Sequence, residues 1–271
     1  MSGELRTWTS RIPEPLIRNN TLVFIESFVT IVLVWALVAN LFGLTDTISS
    51  PGLVAASLVE LLRGGEWVGH LTDTVRRVIL GFVLTLFVGT ALGVATGMSD
   101  FWEKALQDYV TIGLALPALF AAIFTAMWFG ISDVTPMVAG ALIAFPFLAQ
   151  EVYEGVKNID SDLLEMASTF NVSRRRAIWR VIIQSVLPQW FGGVRYSFAI
   201  CWKITTLAEL IAAQSGIGYM IQFHLNRLSL TGVLTWTVMF TVIMLALEYG
   251  LLRQIENRVF VWRQEATIGW G

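Results

Sequence analysis

Six long apolar runs dominate this chain, at about 21–42, 74–98, 109–131, 136–156, 189–213 and 232–252. Each reaches the roughly 20 residues that a helix needs to cross about 30 Å of hydrocarbon. A bilayer offers no partner to an unpaired backbone group, and the runs lack the alternation of barrel strands, so helices are the expected solution. Charge is correspondingly scarce. Only 14% of the 271 residues are charged, 55% are hydrophobic and the mean hydropathy is +0.67, where a soluble domain carries roughly 25% charge. The expected fold is all-α, a polytopic membrane protein of about six spans. Gly81, Gly89, Gly93, Pro117 and Pro146 lie inside the runs and suit close helix packing and kinks.

The basic residues orient the spans. With the N-terminus in the cytoplasm, that side holds Arg6, Arg11, Arg18, Lys104, Lys157, Arg174, Arg175, Arg176, Arg180, Arg253, Arg258 and Arg263. The other side keeps Arg63 and Arg227, with Arg76 and Arg77 at its boundary. The expected organisation is a cytoplasmic segment 1–20, a transmembrane unit 21–252 and a cytoplasmic tail 253–271, with no cleavable leader. A net charge of −2 argues against nucleic acid as a partner. The single cysteine, Cys201, lies in an apolar run, so one chain builds neither a disulfide nor a thiolate metal site.

Two segments outside the runs have helical patterns. Residues 51–63 read as an amphipathic helix on the outer face, preceded by Pro51, anchored by Leu53, Leu58, Leu61 and Leu62 and ended by Gly64 and Gly65. Residues 157–188 are too charged to span. There Leu163, Met166, Ala167 and Phe170 share a helix face, with Asp160, Asp162 and Glu165 near its start. Asn171 suits a left-handed stop and Ser173 a cap for a second helix that runs to Val186, before Pro188. Such a helix-turn-helix carries an apolar ridge in water, which needs a partner protein or the bilayer surface.

The chain holds no GxxxxGK[ST] loop, no HExxH pair and no GxSxG elbow, so neither a P-loop nor a familiar hydrolytic centre is visible. His70 and His224 read as surface or interface histidines. Charges inside spans are expensive, roughly 2.5–3.5 kcal/mol at a helix centre on insertion scales, and point to function. Lys203 lies deep in the fifth run, with Arg195 and Glu209 toward its two ends and Thr206 one turn on. A solute-lining face and a structural ion pair both fit this pattern.

The segment 157–188 resembles the EAA loop of type I ABC importer permeases, through Glu165-Met166-Ala167, Asn171 and Val186-Leu187-Pro188. The likeness extends over about 50–252 and is greatest to the nitrate, sulfonate, taurine and bicarbonate group. It includes Pro117, Trp128-Phe129-Gly130, Pro146, Gly155-Val156, Asp162-Leu163-Leu164-Glu165, Gly193-Val194-Arg195, Trp202, Ala208-Glu209 and Ser215-Gly216-Ile217-Gly218-Tyr219. Asn171, Gln184 and Ile123 stand where the family commonly has glycine, proline and proline.

This resemblance implies a non-catalytic pore subunit of an importer in the cytoplasmic membrane of a prokaryote. It carries no cofactor itself; ATP and Mg belong to two partner ATPase subunits. A second permease, identical or related, and an external or periplasmic solute-binding protein complete the assembly. The resemblance places ATPase coupling on Leu163, Glu165, Met166, Ala167, Phe170, Asn171 and Arg174. The translocation path falls on Pro117, Trp202, Lys203, Thr206 and Glu209. Arginines 174–176 and Arg180 suit either the ATPase or anionic lipid. The implied solute is a small anion or zwitterion: sulfonate, nitrate, bicarbonate or a small organic acid. A secondary transporter, or a receptor or scaffold working without an ATPase, is the alternative.

Overall fold

The computed structural model describes residues 20–41, 49–247 and 250. The expectations for 1–19, the tail 253–271, the arginines they contain and the far end of the sixth run lie outside those residues. The described chain is helical throughout: α1 Asn20–Leu41, α2 Pro51–Gly64, α3 Trp67–Met98, α4 Asp100–Ala115, α5 Ala118–Phe129, α6 Val134–Lys157 and α7 Ser161–Thr169. Then come α8 Arg174–Ala177, a π turn Ile178–Ile182, α9 Ile183–Ala212, α10 Ile217–Asn226 and α11 Leu230–Leu247. By length and composition α3, α6 and α11 each suffice to cross a membrane, and two bent helix pairs raise the number to five. Within α1 the stretch Glu26–Asn40 is apolar but shorter than those spans.

Glycines set the topology by letting backbones touch. A side chain at Gly81 would meet the carbonyl of Met137, one at Gly93 the carbonyl of Ala149, and one at Gly97 the side chain of Val156. The pairing advances in step along both helices, so α3 and α6 run parallel. Gly140 lies against Cys201 and Thr205 while Gly155 lies against Gln189, so α9 runs antiparallel to α6. These three helices hold the core. Leu148, Val152 and Val194 form one cluster, and Val78, Phe198 and Trp202 another, with Phe240 and Ile243 of α11 packed against it. Phe87, Ile112, Met127, Trp128 and Val242 remain exposed around the outside, which suits a protein whose solvent is lipid.

The third run departs from a single span. α4 and α5 meet at 102°, because Pro117 has no N–H to continue the ladder and holds Leu116 in an extended conformation (φ −67°, ψ 121°). Pro188, in contrast, ends nothing. The helix runs through it to Ala212, since packing within a bundle tolerates a proline inside a span. The extra residue of the π turn ahead of it is accommodated in the helix rather than by a break.

α2 keeps its expected bounds. Ser50 caps it by accepting the Leu53 N–H, Pro51 occupies its first turn and Gly65 leaves it at φ 75°. Its anchors differ. Val54 is the buried residue, Leu58 and Leu61 pack against the cluster of Ile217, Trp236 and Met239, and Leu53 and Leu62 stay exposed.

Candidate functional site

At the end of the bundle where α3 and α6 begin and α9 finishes, two charges are removed from solvent. Arg77 is 2% exposed and Glu209 is 1% exposed. Arg77 Nη1 donates to Glu209 Oε1 at 2.7 Å and to the Ser215 carbonyl at 2.7 Å. Its Nη2 reaches Ser215 Oγ at 2.9 Å, and its Nε donates to Asp133 Oδ1 at 3.0 Å. Glu209 Oε2 in turn accepts the Thr74 hydroxyl at 2.8 Å and the Gly218 N–H at 3.0 Å. Burying a charge is tolerable only with this density of partners. Asp133, outside the spans and more than half exposed, also pairs with Arg76. The hydrogen bond from Arg77 holds its carboxyl below the usual aspartate range, with the charges of Arg77 and Arg76 acting in the same direction.

This network explains the Ser-Gly-Ile-Gly stretch. The Gly216 N–H reaches His70 Nδ1 at 3.2 Å and the Ile217 N–H reaches Thr74 Oγ1 at 2.8 Å, so side chains of α3 and α9 cap the first turn of α10. Gly216 has φ 110°, and a Cβ there would lie 2.5 Å from the Glu209 carboxylate. A Cβ on Gly218 would lie 2.2 Å from the Thr206 carbonyl. Only glycine admits that approach. Of the two expected roles, His70 takes the interface one, joining α3 to the start of α10.

At the opposite end α7 is held differently. Asp160 caps it by accepting the Asp162 N–H at 2.9 Å. Asn171 closes it at φ 51°, and the Val172 N–H returns to the Ala167 carbonyl at 2.9 Å. The left-handed stop thus forms with asparagine in place of glycine. Ala167 is buried, whereas Leu163 and Met166 are exposed and Phe170 is 75% exposed. Glu165 is exposed too. Trp179 of the π turn is exposed as well, as are Arg175, Arg176 and Arg180. Arg174 opens α8. Close by, Lys157 pairs with Glu103 at 2.6 Å and Tyr153 donates to the same carboxylate at 2.6 Å, tying α4 to α6.

The five residues expected along a path separate in space. Pro117 forms the α4–α5 corner. Trp202 is buried among Val78, Phe198 and Phe240. Thr206 is buried with its hydroxyl on the Trp202 carbonyl at 3.0 Å, and Glu209 belongs to the latch. Lys203 lies exposed on α9, as Pro117 does at its corner, in a groove with Arg195, Tyr196 and Ala199. Arg77, Asp133 and Ser215 are the site residues that sequence reasoning missed. The available signal was one unmatched acid, Glu209, at the same membrane end as the Arg76-Arg77 pair.

Comparison with known proteins follows the same lines. The family model described as binding-protein-dependent transport system inner membrane component matches residues 81–260. The putative aliphatic sulfonates transport permease protein SsuC of Escherichia coli (strain K12) is 32% identical over 194 residues, 71% of this chain and 73% of that protein. The taurine transport system permease protein TauC of the same strain is 27% identical over 258 residues, 93% of each. Among solved structures, an amino acid ABC transporter crystallised with histidines aligns at TM-score 0.62 and 16% identity, over 74% of this chain and 97% of that one. The inward-facing MetNI methionine ABC transporter aligns at TM-score 0.58 and 15% identity, over 68% and 93%. At such identities these two establish the fold alone. With two thirds of its length matched, the chain belongs to the family of binding-protein-dependent transport system inner membrane components, the permeases of ABC importers.

Proposed function

We propose that this permease forms the pore of an importer driven by two separate ATPase subunits that bind ATP and Mg, and that its solute belongs to the sulfonate and taurine class. The ridge of α7 carries the reading. Leu163, Met166 and Phe170 project from a short capped helix and are left bare by the described chain. Apolar surface left in water forfeits roughly 25 cal/mol per Å², and a complementary protein groove recovers it. An ATPase docked there connects its own closure to α6, which precedes α7, and through α8 and the π turn to α9. A secondary transporter, receptor or scaffold needs no such ridge, and the family match favours the importer over all three.

Arg175, Arg176 and Arg180 beside α7 support a cytoplasmic position for that end, which puts the Arg77–Glu209 latch on the outer side and both termini in the cytoplasm. A second permease, identical or related, supplies the other wall of the pore, and an external or periplasmic binding protein delivers the solute. The solute class rests on the SsuC and TauC relatives, named for aliphatic sulfonates and taurine.

The test is uptake of radiolabelled taurine and ethanesulfonate into proteoliposomes holding permease, ATPase and binding protein. Uptake should require internal ATP and be lost in Phe170→Asp, with the permease still folded. Uptake without the ATPase, or normal uptake by Phe170→Asp, would overturn the coupling.

A further inference from the structure

A recess of about 510 Å³ opens between three helices at the α7 end of the bundle. Thr90, Val94 and Met98 recur every fourth residue on one face of α3 and form one wall. Ile178, Ile182 and Val186, from the π turn and α9, form the other, and Val152 and Val156 of α6 complete it. Its inner end is shut by Trp190, whose indole N–H donates to Thr90 Oγ1 at 2.9 Å. That bond engages both polar side chains of the lining, so the remaining surface is hydrocarbon and one thioether. Met98 and Ile178, both exposed, mark the open end.

The open end is cationic. Arg175 lies three residues before Ile178, on the same helix face, and Arg175, Arg176 and Arg180 are all exposed. The acids that follow Met98 are engaged: Glu103 pairs with Lys157 at 2.6 Å, and Asp100 lies 3.9 Å from the same ammonium. Trp179, 60% exposed, is of the residue type enriched at the level of lipid headgroups.

Shape selects the occupant. Thr90 and Met98 are about 12 Å apart along their helix, so the recess averages about 40 Å² in section, roughly half that of a helix 10 Å across. It admits alkyl chains rather than a further span. Left empty, such walls forfeit dispersion contacts, and the hydrocarbon at hand is the bilayer's own.

We infer that this recess holds an acyl chain of an anionic phospholipid, with the headgroup phosphate on Arg175 and the positive field of Arg176 and Arg180 selecting for negative charge. A basic pocket between spans on the cytoplasmic side is suited to such headgroups. The inference rests on the placement of the α7 end at the cytoplasmic surface and goes beyond the importer reading. It puts a lipid against the π turn, the segment that joins α8 to α9, and the lipid binds there whether or not an ATPase is docked.

The test uses the whole transporter in phosphatidylcholine nanodiscs carrying a small fraction of one photoprobe, either phosphatidylglycerol or phosphatidylcholine with the same diazirine-bearing tail. On illumination the diazirine loses dinitrogen, the carbene inserts into a neighbouring C–H bond, and labelled peptides are mapped by mass spectrometry. The phosphatidylglycerol probe should label 94–98 and 178–187 roughly fivefold more than the phosphatidylcholine probe. Arg175→Gln should remove most of that preference and Arg175→Lys should keep it. Val94→Trp, which fills the recess, should abolish labelling there by both probes and leave labelling elsewhere unchanged. Equal labelling by the two probes, no labelling of the recess, or a preference indifferent to Arg175→Gln would overturn the assignment. So would a disulfide from Val94→Cys, in a Cys201→Ser background, to a second permease, which would give the recess to another copy of the chain. Labelling is read on the peptide, so a permease that couples to no ATPase would still show it, and the two failures are distinguishable.

Discussion

At one end of the bundle Arg77 and Glu209 are buried with their hydrogen-bonding capacity met inside the chain. At the other, Leu163, Met166 and Phe170 stand bare on a helix tied down by a cap and a turn. The first region spends its polar groups on itself and fixes how α3, α9 and α10 meet. The second leaves apolar surface over, the surface on which the proposed ATPase docks.

The contrast is broken most severely by Arg77→Met. Leaving the Glu209 carboxylate buried without its cation should cost about 3–5 kcal/mol, seen as a large fall in unfolding temperature in detergent. Replacing both residues, Arg77→Met with Glu209→Met, should recover most of that loss, because the uncompensated charge disappears. A smaller cost, about 1–3 kcal/mol, is expected of Gly218→Ala, whose methyl would press on the Thr206 carbonyl; the same melting assay reads it.

Phe170→Ser sharpens the other side of the comparison. An exposed side chain contributes little to folding, so stability should change by less than about 0.5 kcal/mol while retention of the ATPase on tagged permease falls severalfold. The smallest effect concerns pH. Asp133 is held below its ordinary value by Arg77, so the stability it contributes is present above the unfolded aspartate pKa of about 3.9 and is lost as pH falls through the lower folded value. Melting of the wild type should therefore weaken on acidification through that window, and Asp133→Asn should flatten this part of the profile.

Much of this contrast was legible in the residues. Hydropathy located the helices, Gly65 and Pro51 bounded α2, and the pattern from Asp160 to Asn171 predicted α7 together with its left-handed stop. What sequence withheld depends on tertiary partners. Pro117 turns the chain through a wide angle whereas Pro188 is absorbed into a helix, although both are prolines in apolar surroundings. Ala167 reads as part of the ridge by spacing yet is buried in the turn. Arg77 and Glu209 are separated by 132 positions, and a single sequence carries no measure of that proximity. Lys203 was visible as a charge in a span, but its exposure on one face with Arg195 was not.

The most direct measurement is disulfide crosslinking from Ser168→Cys in α7, in a Cys201→Ser background, to single cysteines along the surface groove of the partner ATPase, with and without nucleotide in the intact transporter. The account predicts a crosslink whose yield changes on ATP binding. A cysteine that water-soluble reagents modify freely, yet that never crosslinks to the ATPase of a transporting complex, would contradict it.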